Sequence, residues 1–467
     1  MTFRQFAGLC PLAALLAANP AHAEAEDAAA TIIVTARTEA DAAAQRARST
    51  PGGTDIVRHE DYADKSLVSL RDTLAFSPGV YLQPRYGQEV RISIRGSGLS
   101  RGFHMRGLTL LQDGIPVNLA DDNGDFQELE PIFFDHLEVY RGANALRFGS
   151  GTLGGAVNGV TPTGRTAGGL YLRADAGSFE TARALAAFGT AGPVADGWAA
   201  ISADTSKGDR DHASRQSVRF HGNIGLRLGE TLQTRFYASV NRIDQEIPDA
   251  LTLAQVRSTP KRANAASLAG DNARDIDSLR LQNRTELAIG DGSLTLGLFL
   301  NAKSLYHPIF QVVDQESTDR GFFGRFDYEG TRFGVTFGGE SRYGDTAAKR
   351  FANIAGRRAA LTFMAEQDAR TSSLFGEARF RPLDPLTLVA GGIYADGFRR
   401  QHERFNSFAG GPRTIVARAR FEQFSPKFGL LVDVTGDIQL FGNYSRSAEF
   451  PTFVELAQIS SFVPLKA

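Results

Sequence analysis

From about Gly168 onward the chain repeats segments of about ten residues in which every second side chain is apolar, the spacing of a strand with one lipid-facing side. Leu294, Leu296, Leu298 and Leu300 are the clearest case, with Thr295, Gly297 and Asn301 between them. Small and polar intervening residues suit a wet lumen. A soluble sandwich would instead bury the apolar face in a closed core. Ile438, Leu440 and Tyr444 against Gln439, Asn443 and Ser445 repeat the pattern.

The connections alternate in length. Gly229-Glu230, Asp291-Gly292, Glu329-Gly330, Pro382 to Pro385 and Thr435 to Asp437 read as tight turns. Ile243 to Asp277, Leu305 to Arg320, Arg342 to Thr371 and Phe398 to Arg420 read as long loops. Short turns on one side of a membrane and long loops on the other produce this rhythm. The count comes to roughly thirteen strands. Phe462 to Ala467 does not read as a closing strand, so the chain is expected to be part of a longer barrel or an interrupted product of one.

Between Thr31 and Thr166 the alternation weakens and short strands mix with a helix expected over Ser66 to Phe76, with Leu67, Leu70 and Leu74 on one face and Pro78-Gly79 ending it. This segment is the right size for one small domain. Ahead of it, an apolar run from Phe6 to Ala18, a break at Asn19-Pro20 and Ala21-His22-Ala23 make a secretory signal. Cys10 lies inside that signal, so the mature chain has no thiol chemistry.

The expected organisation is a signal peptide at 1–23, a linker at 24–40, a small mixed domain at 41–166 and strands of a transmembrane barrel over 167–467. A formal net charge of -1 gives no global field, and no nucleic-acid partner is expected.

Four blocks carry a family resemblance: Val90-Arg91-Ile92-Ser93-Ile94-Arg95-Gly96, Leu110 to Pro116, Leu137-Glu138-Val139-Tyr140-Arg141-Gly142, and Phe148 to Asn158. In order and spacing they resemble the plug of TonB-dependent outer-membrane receptors, and the chain is most similar to ferric-siderophore and ferric-citrate receptors. Phe424 to Leu430 and Asn443 to Ser447 add a looser match in the barrel. The resemblance implies an all-β transmembrane barrel, 22-stranded in the family, with an N-terminal mixed α+β plug in its lumen. It also implies active import of a ferric siderophore or similar iron chelate and a location in the outer membrane of a Gram-negative bacterium. The protein would not be an enzyme, and iron would enter only as part of the cargo, with no resident cofactor.

By the same resemblance Thr31, Ile32, Ile33, Val34, Thr35 and Ala36 form a TonB box, an extended β-branched segment suited to adding a strand to TonB, which the inner-membrane energising proteins drive. Ligand is expected between upper plug loops and inner wall, at Arg95, Ser97, Arg101, His104, Asn118, Asp121, Asp122 and Gln127 of the plug and Arg399 and Arg400 of the wall. Lys349, Arg350, Arg357 and Arg358, and separately Arg399, Arg400, Arg404 and Arg413, make basic stretches suited to an anionic chelate or to lipopolysaccharide phosphates. The receptor is expected to be a monomer in contact with outer-membrane lipid and lipopolysaccharide. Buried plug arginines need carboxylate partners, expected from Glu340 or Glu377.

Three motifs point elsewhere and are outweighed. Gly149 to Gly154 matches a dinucleotide fingerprint, but Gly155 to Val160 after it reads as a strand, not a helix. Asp121, Asn123 and Asp125 begin like a calcium loop, yet Phe126 and Ile132 stand where the turn glycine and bidentate glutamate belong. His104 and Met105 form a soft pair that reads more simply as loop and packing residues, so no metal ligand is assigned. A passive pore and a receptor for haem, cobalamin or another metal complex are the alternative functions.

Overall fold

The computed structural model describes residues 39–97, 105, 107–149, 153–436 and 438–456. The expected signal peptide at 1–23 and TonB box at 31–36, and Arg101 and His104, lie outside the described residues.

The N-terminal region begins with α1 (Glu39–Arg48) and β1 (Thr54–Arg58). There follow α2 (Leu70–Leu74), β2 (Val80–Pro84), β3 (Val90–Ile94), β4 (Leu108–Gln112), β5 (Ile115–Pro116), β6 (His136–Arg141) and β7 (Gly155–Val160). Its main sheet runs β1-β6-β7-β4-β5, with β4 and β7 parallel, and β2-β3 pair as a separate hairpin. Asp113 (φ 56°) and Gly114 (φ 79°) form the tight reversal between β4 and β5, a turn that needs two left-handed residues. At Gly155 (φ +138°) an added Cβ would lie 1.9 Å from the Tyr140 carbonyl oxygen, so only glycine lets β6 and β7 approach there.

The helix expected over Ser66 to Phe76 is shorter than its apolar spacing suggests. Ser69 caps it through its hydroxyl, and Asp72 returns a bond to the Ser69 amide. This capping box starts the helix at Leu70, and residues 66–69 stay extended enough to drive Leu67 into the same core as Leu70 and Leu74.

The remaining strands form one antiparallel sheet of thirteen, β8 to β20, each paired with its sequence neighbours, with β8 and β20 at its edges. They are β8 (Gly169–Gly177), β9 (Thr181–Ala191), β10 (Ala195–Ser206), β11 (Arg215–Leu228), β12 (Leu232–Gln245), β13 (Asp275–Ile289) and β14 (Gly292–Pro308). The series continues with β15 (Gln311–Glu329), β16 (Phe333–Ile354), β17 (Arg357–Leu383), β18 (Leu386–Asn406), β19 (Gly411–Asp433) and β20 (Gln439–Ser445). The leucine alternation in β14 behaves as expected: Leu296, Leu298 and Leu300 are exposed on the convex face, while Thr295 and Asn301 are buried on the face toward the plug. No helix is long and apolar enough to cross a membrane among the described residues.

Three of the expected long loops are not loops. β14 and β15 meet across residues 309–310, β16 and β17 across 355–356, and β18 and β19 at a short turn over Ser407–Ala409. Strand pairing continues beyond the apolar band, where both faces are wet, so polarity stops reporting the strand while backbone hydrogen bonds still hold it. Of the four expected long loops, the connection from β12 to β13 alone is one, carrying α3 (Leu253–Ser258) and α4 (Ala265–Gly270).

The small domain packs against the concave face of this sheet. Its apolar core runs without a break from Leu70, Ile94, Leu110 and Val139 to Leu185 and Trp198 on the wall, where Phe133 meets Trp198 edge to face at 6.4 Å.

Candidate functional site: an acidic plug loop against a basic wall

Between β5 and β6 the chain runs from Asn118 to Glu130 and presents five carboxylates. Asn118 shapes the first part, its side chain accepting from the Leu110 amide and donating to the carbonyls of Leu108 and Asp122. Short helical turns at Phe126–Glu128 and Pro131–Phe133 shape the rest. The loop is pressed against wall strands whose plug-facing positions carry cations.

Asp122 accepts from Arg342 Nη2 of β16 at 2.5 Å and lies 3.6 Å from Arg399 Nη2 of β18. Arg399 is fully buried and also donates to Thr371 Oγ1 and to the Pro451 carbonyl. Asp121 accepts from the Phe453 amide at the start of α5 (Phe453–Leu456), and Asp319 accepts from the Ala120 amide at 2.6 Å. Asp125 is gripped by Arg274 and Lys303, and Lys303 also reaches Glu128 at 2.5 Å. Glu130 pairs with Arg183 and lies 3.2 Å from Arg219. Burial opposes ionisation of Asp125, but the charges of Arg274 and Lys303 win and hold its carboxyl well below the usual range.

A second polar cluster lies under the β4–β5 turn. Asp113 accepts from the amide and hydroxyl of Thr161 at 2.8 and 2.9 Å, and its other oxygen is 3.7 Å from His221 Nε2. Burial pushes the Asp113 carboxyl up to about 7 in spite of the two Thr161 bonds.

Asn118, Asp121, Asp122 and Arg399 therefore come together, but they are spent on each other and on the wall. Gln127 is buried and its backbone carbonyl accepts from Arg219. Arg95 and Ser97 sit apart, in the turn after β3; Arg95 is exposed with φ 55°, and the Ser97 hydroxyl accepts from the Ile94 amide. Arg400 points to the convex face, opposite to Arg399, and pairs with Asp368 at 2.8 Å. The basic stretches are largely neutralised: Arg358 pairs with Asp314, Arg404 with Glu366 and Arg413 with Glu403.

Glu340 and Glu377 do not serve the plug arginines as expected. Glu340 lies 3.3 Å from Arg342 and Glu377 accepts from Lys427, all on the wall. Arg141 finds its partners inside the plug, at Ser77 and Asp55. The calcium-like carboxylates are likewise occupied by cationic side chains and backbone amides, and Gly155–Val160 forms a strand as expected.

Sequence reading missed Glu128 and Glu130 and the wall partners of the loop's carboxylates, Asp125 included. A signal was present: Arg219, Arg280, Lys303 and Arg342 fall on the plug-facing parity of strands whose other parity is apolar or exposed. A cation at such a position requires a carboxylate across the gap.

Two family models match the chain: the TonB-dependent receptor plug domain over residues 46–156 and the TonB-dependent receptor-like β-barrel over residues 140–466. The ferric-pyoverdine M114 receptor PbuA of Pseudomonas sp. is 22% identical over 458 residues, covering 85% of this chain and 54% of that protein. The ferric enterobactin receptor PirA of Pseudomonas aeruginosa is 30% identical over 175 residues, 33% of this chain and 23% of that one. Among solved structures, the unliganded ferric citrate transporter FecA superposes with a TM-score of 0.74 at 16% identity, covering 90% of this chain and 66% of its own. The chain thus spans about half the length of the pyoverdine receptor and about two thirds of the citrate transporter. It belongs to the TonB-dependent receptors, a family of outer-membrane β-barrel transport proteins and not of enzymes.

Proposed function

We propose that this protein takes part in TonB-driven import of a ferric siderophore or similar iron chelate, with the plug held shut by the acidic loop until force is applied through the TonB box. The observation that carries this reading is the pairing of the buried Glu128 and Glu130 and the partly buried Asp122 and Asp125 with buried wall cations. Pulling these pairs apart within the seam, before water reaches them, leaves desolvated charges unpaired, so moving the plug needs work. A passive pore has no use for such a plug. Iron chelates are favoured as cargo because the pyoverdine, enterobactin and citrate proteins to which the chain is similar are named for them.

On this reading Thr31 to Ala36 pairs with an exposed strand edge of TonB, and Arg95, Ser97, Arg101 and His104 are the plug residues left to meet cargo. The test is radiolabelled iron uptake, one siderophore at a time, by iron-starved cells producing the receptor with and without residues 31–36. Uptake that needs the segment at equal surface expression supports import, and segment-independent entry of many solutes overturns it in favour of a pore.

A further inference from the structure

His212, Glu246 and Asp271 belong to different connections, the turn between β10 and β11, the end of β12 and the C-terminus of α4, yet they meet at the end of the sheet opposite the tight turns. One donor atom from each lies within 4.8 Å of the other two. His212 Nδ1 is 3.5 Å from Glu246 Oε1, and Nε2 is 3.8 Å from Asp271 Oδ1.

The surroundings orient these donors. His212 Nε2 lies 2.9 Å from the Asn272 carbonyl, which can only accept, so that nitrogen carries the proton and Nδ1 is left with its lone pair. A backbone carbonyl fixing one ring nitrogen while the other faces a carboxylate is the arrangement found behind metal-binding histidines. Glu246 is aligned in turn, because the Ser214 amide and hydroxyl both donate to Oε2 and leave Oε1 turned toward the ring. Nδ1 and Oε1 then face each other at 3.5 Å, a contact that either a proton or a bound metal ion satisfies.

We propose that His212, Glu246 and Asp271 form a binding site for a divalent first-row transition-metal ion that clips the β10–β11 turn to the long β12–β13 loop. One imidazole and two carboxylates make a mixed nitrogen and oxygen set that suits zinc, cobalt or nickel better than calcium. Donors about 3.0–3.5 Å apart are what an ion with bonds near 2.1 Å requires, so the Nδ1–Oε1 pair needs little change, whereas the exposed Asp271, whose Oδ1 rests 3.8 Å from Nε2, has to turn about its side-chain bonds to reach the ion. This site does not depend on the import reading, and its test does not involve cargo.

The experiment is equilibrium dialysis of the purified, detergent-solubilised protein against Zn(II), with Co(II) visible absorption reporting the ligand field. His212→Gln and Glu246→Gln are compared with the parent and with Asp211→Asn, a neighbouring carboxylate outside the cluster, and folding of each is checked by strand circular dichroism. The expected result is one ion per chain, bound at least about tenfold more weakly in both cluster variants and equally well in Asp211→Asn. No saturable binding by the parent, or equal binding by a folded Glu246→Gln, overturns the proposal and leaves a proton shared by His212 and Glu246.

Discussion

Arg342 and Asp122 lie 220 residues apart in sequence and meet at 2.5 Å, one on the wall and the other on the plug. Arg342 is fully buried, and the same carboxylate faces the buried guanidinium of Arg399 at 3.6 Å. Asp122→Asn keeps the shape and removes the charge, leaving the buried Arg399 without that carboxylate and Arg342 with Glu340 at 3.3 Å. The expected loss of plug docking is about 3–5 kcal/mol, the range for breaking a buried pair from one side. Trypsin cleavage of the plug in the folded receptor measures it. Cleavage as slow as in the parent would mean that the pair does not hold the plug.

Lys303 bridges Asp125 and Glu128, and the three act as a unit. Lys303→Met should destabilise the docked plug, because Asp125 retains only Arg274 and Glu128 loses its ammonium partner. Adding Glu128→Gln should restore much of that loss, since a neutral amide no longer needs a cation. A double-mutant cycle on plug thermal unfolding is expected to give a coupling of about 0.5–3 kcal/mol. Additive effects would show that the two side chains do not communicate.

His136 and Glu138 set a pH window inside the plug. Burial opposes the charge on His136, but the Asp135 carboxylate bonded to Nδ1 at 2.9 Å and the Glu138 carboxylate 3.9 Å from Nε2 outweigh it and raise its pKa to about 9. Burial likewise opposes the charge on Glu138, which His136, Arg46 and Asn158 hold down to about 2. The histidine's contribution is complete below its ordinary 6.5 and is lost as pH rises through 9. The glutamate's is complete above 4.5 and is lost as pH falls toward 2. This pair alone leaves plug stability flat from about pH 5 to about pH 6.5, but the raised Asp113 carboxyl loses its contribution between its ordinary 3.8 and about 7, so plug melting temperature should decline from about pH 5 onward, and His136→Gln should remove the part of the decline between about pH 6.5 and about pH 9. An alkaline decline unchanged in His136→Gln would place its source elsewhere.

Alternation along the strands was enough to read the barrel and to count its strands, because lipid on one side and a packed or wet lumen on the other impose a period of two, as Leu296, Leu298 and Leu300 show. The hairpins above the membrane escaped, since Lys349 to Ile354 pair with Arg357 to Met364 through backbone bonds that no side-chain pattern records. The candidate site was half legible. Polar residues from Asn118 to Gln127 marked the loop that matters, but charge at Asp121 and Asp122 was read as facing cargo when it faces Arg342, Arg399 and a backbone amide. Pairings across more than two hundred residues follow from how the plug seats, which local spacing does not encode.

Leu298 tests the other face of the wall. It is 61% exposed on the convex side of β14, level with the exposed Phe322 on β15. It lies six residues beyond Gly292, where β14 leaves its tight turn. With a rise of about 3.3 Å per residue and a tilt of about 40°, it sits roughly 15 Å into an apolar band about 25 Å tall, near the middle. Leu298→Arg should then cost about 2–4 kcal/mol more than Leu298→Ala, because a cation at mid-depth must be dehydrated or reach for an interface. Denaturant titration of the barrel in lipid vesicles measures the difference. Equal midpoints for the two variants would mean that this face does not meet hydrocarbon, whereas a deficit confined to Leu298→Arg fixes both the facing and the depth of β14.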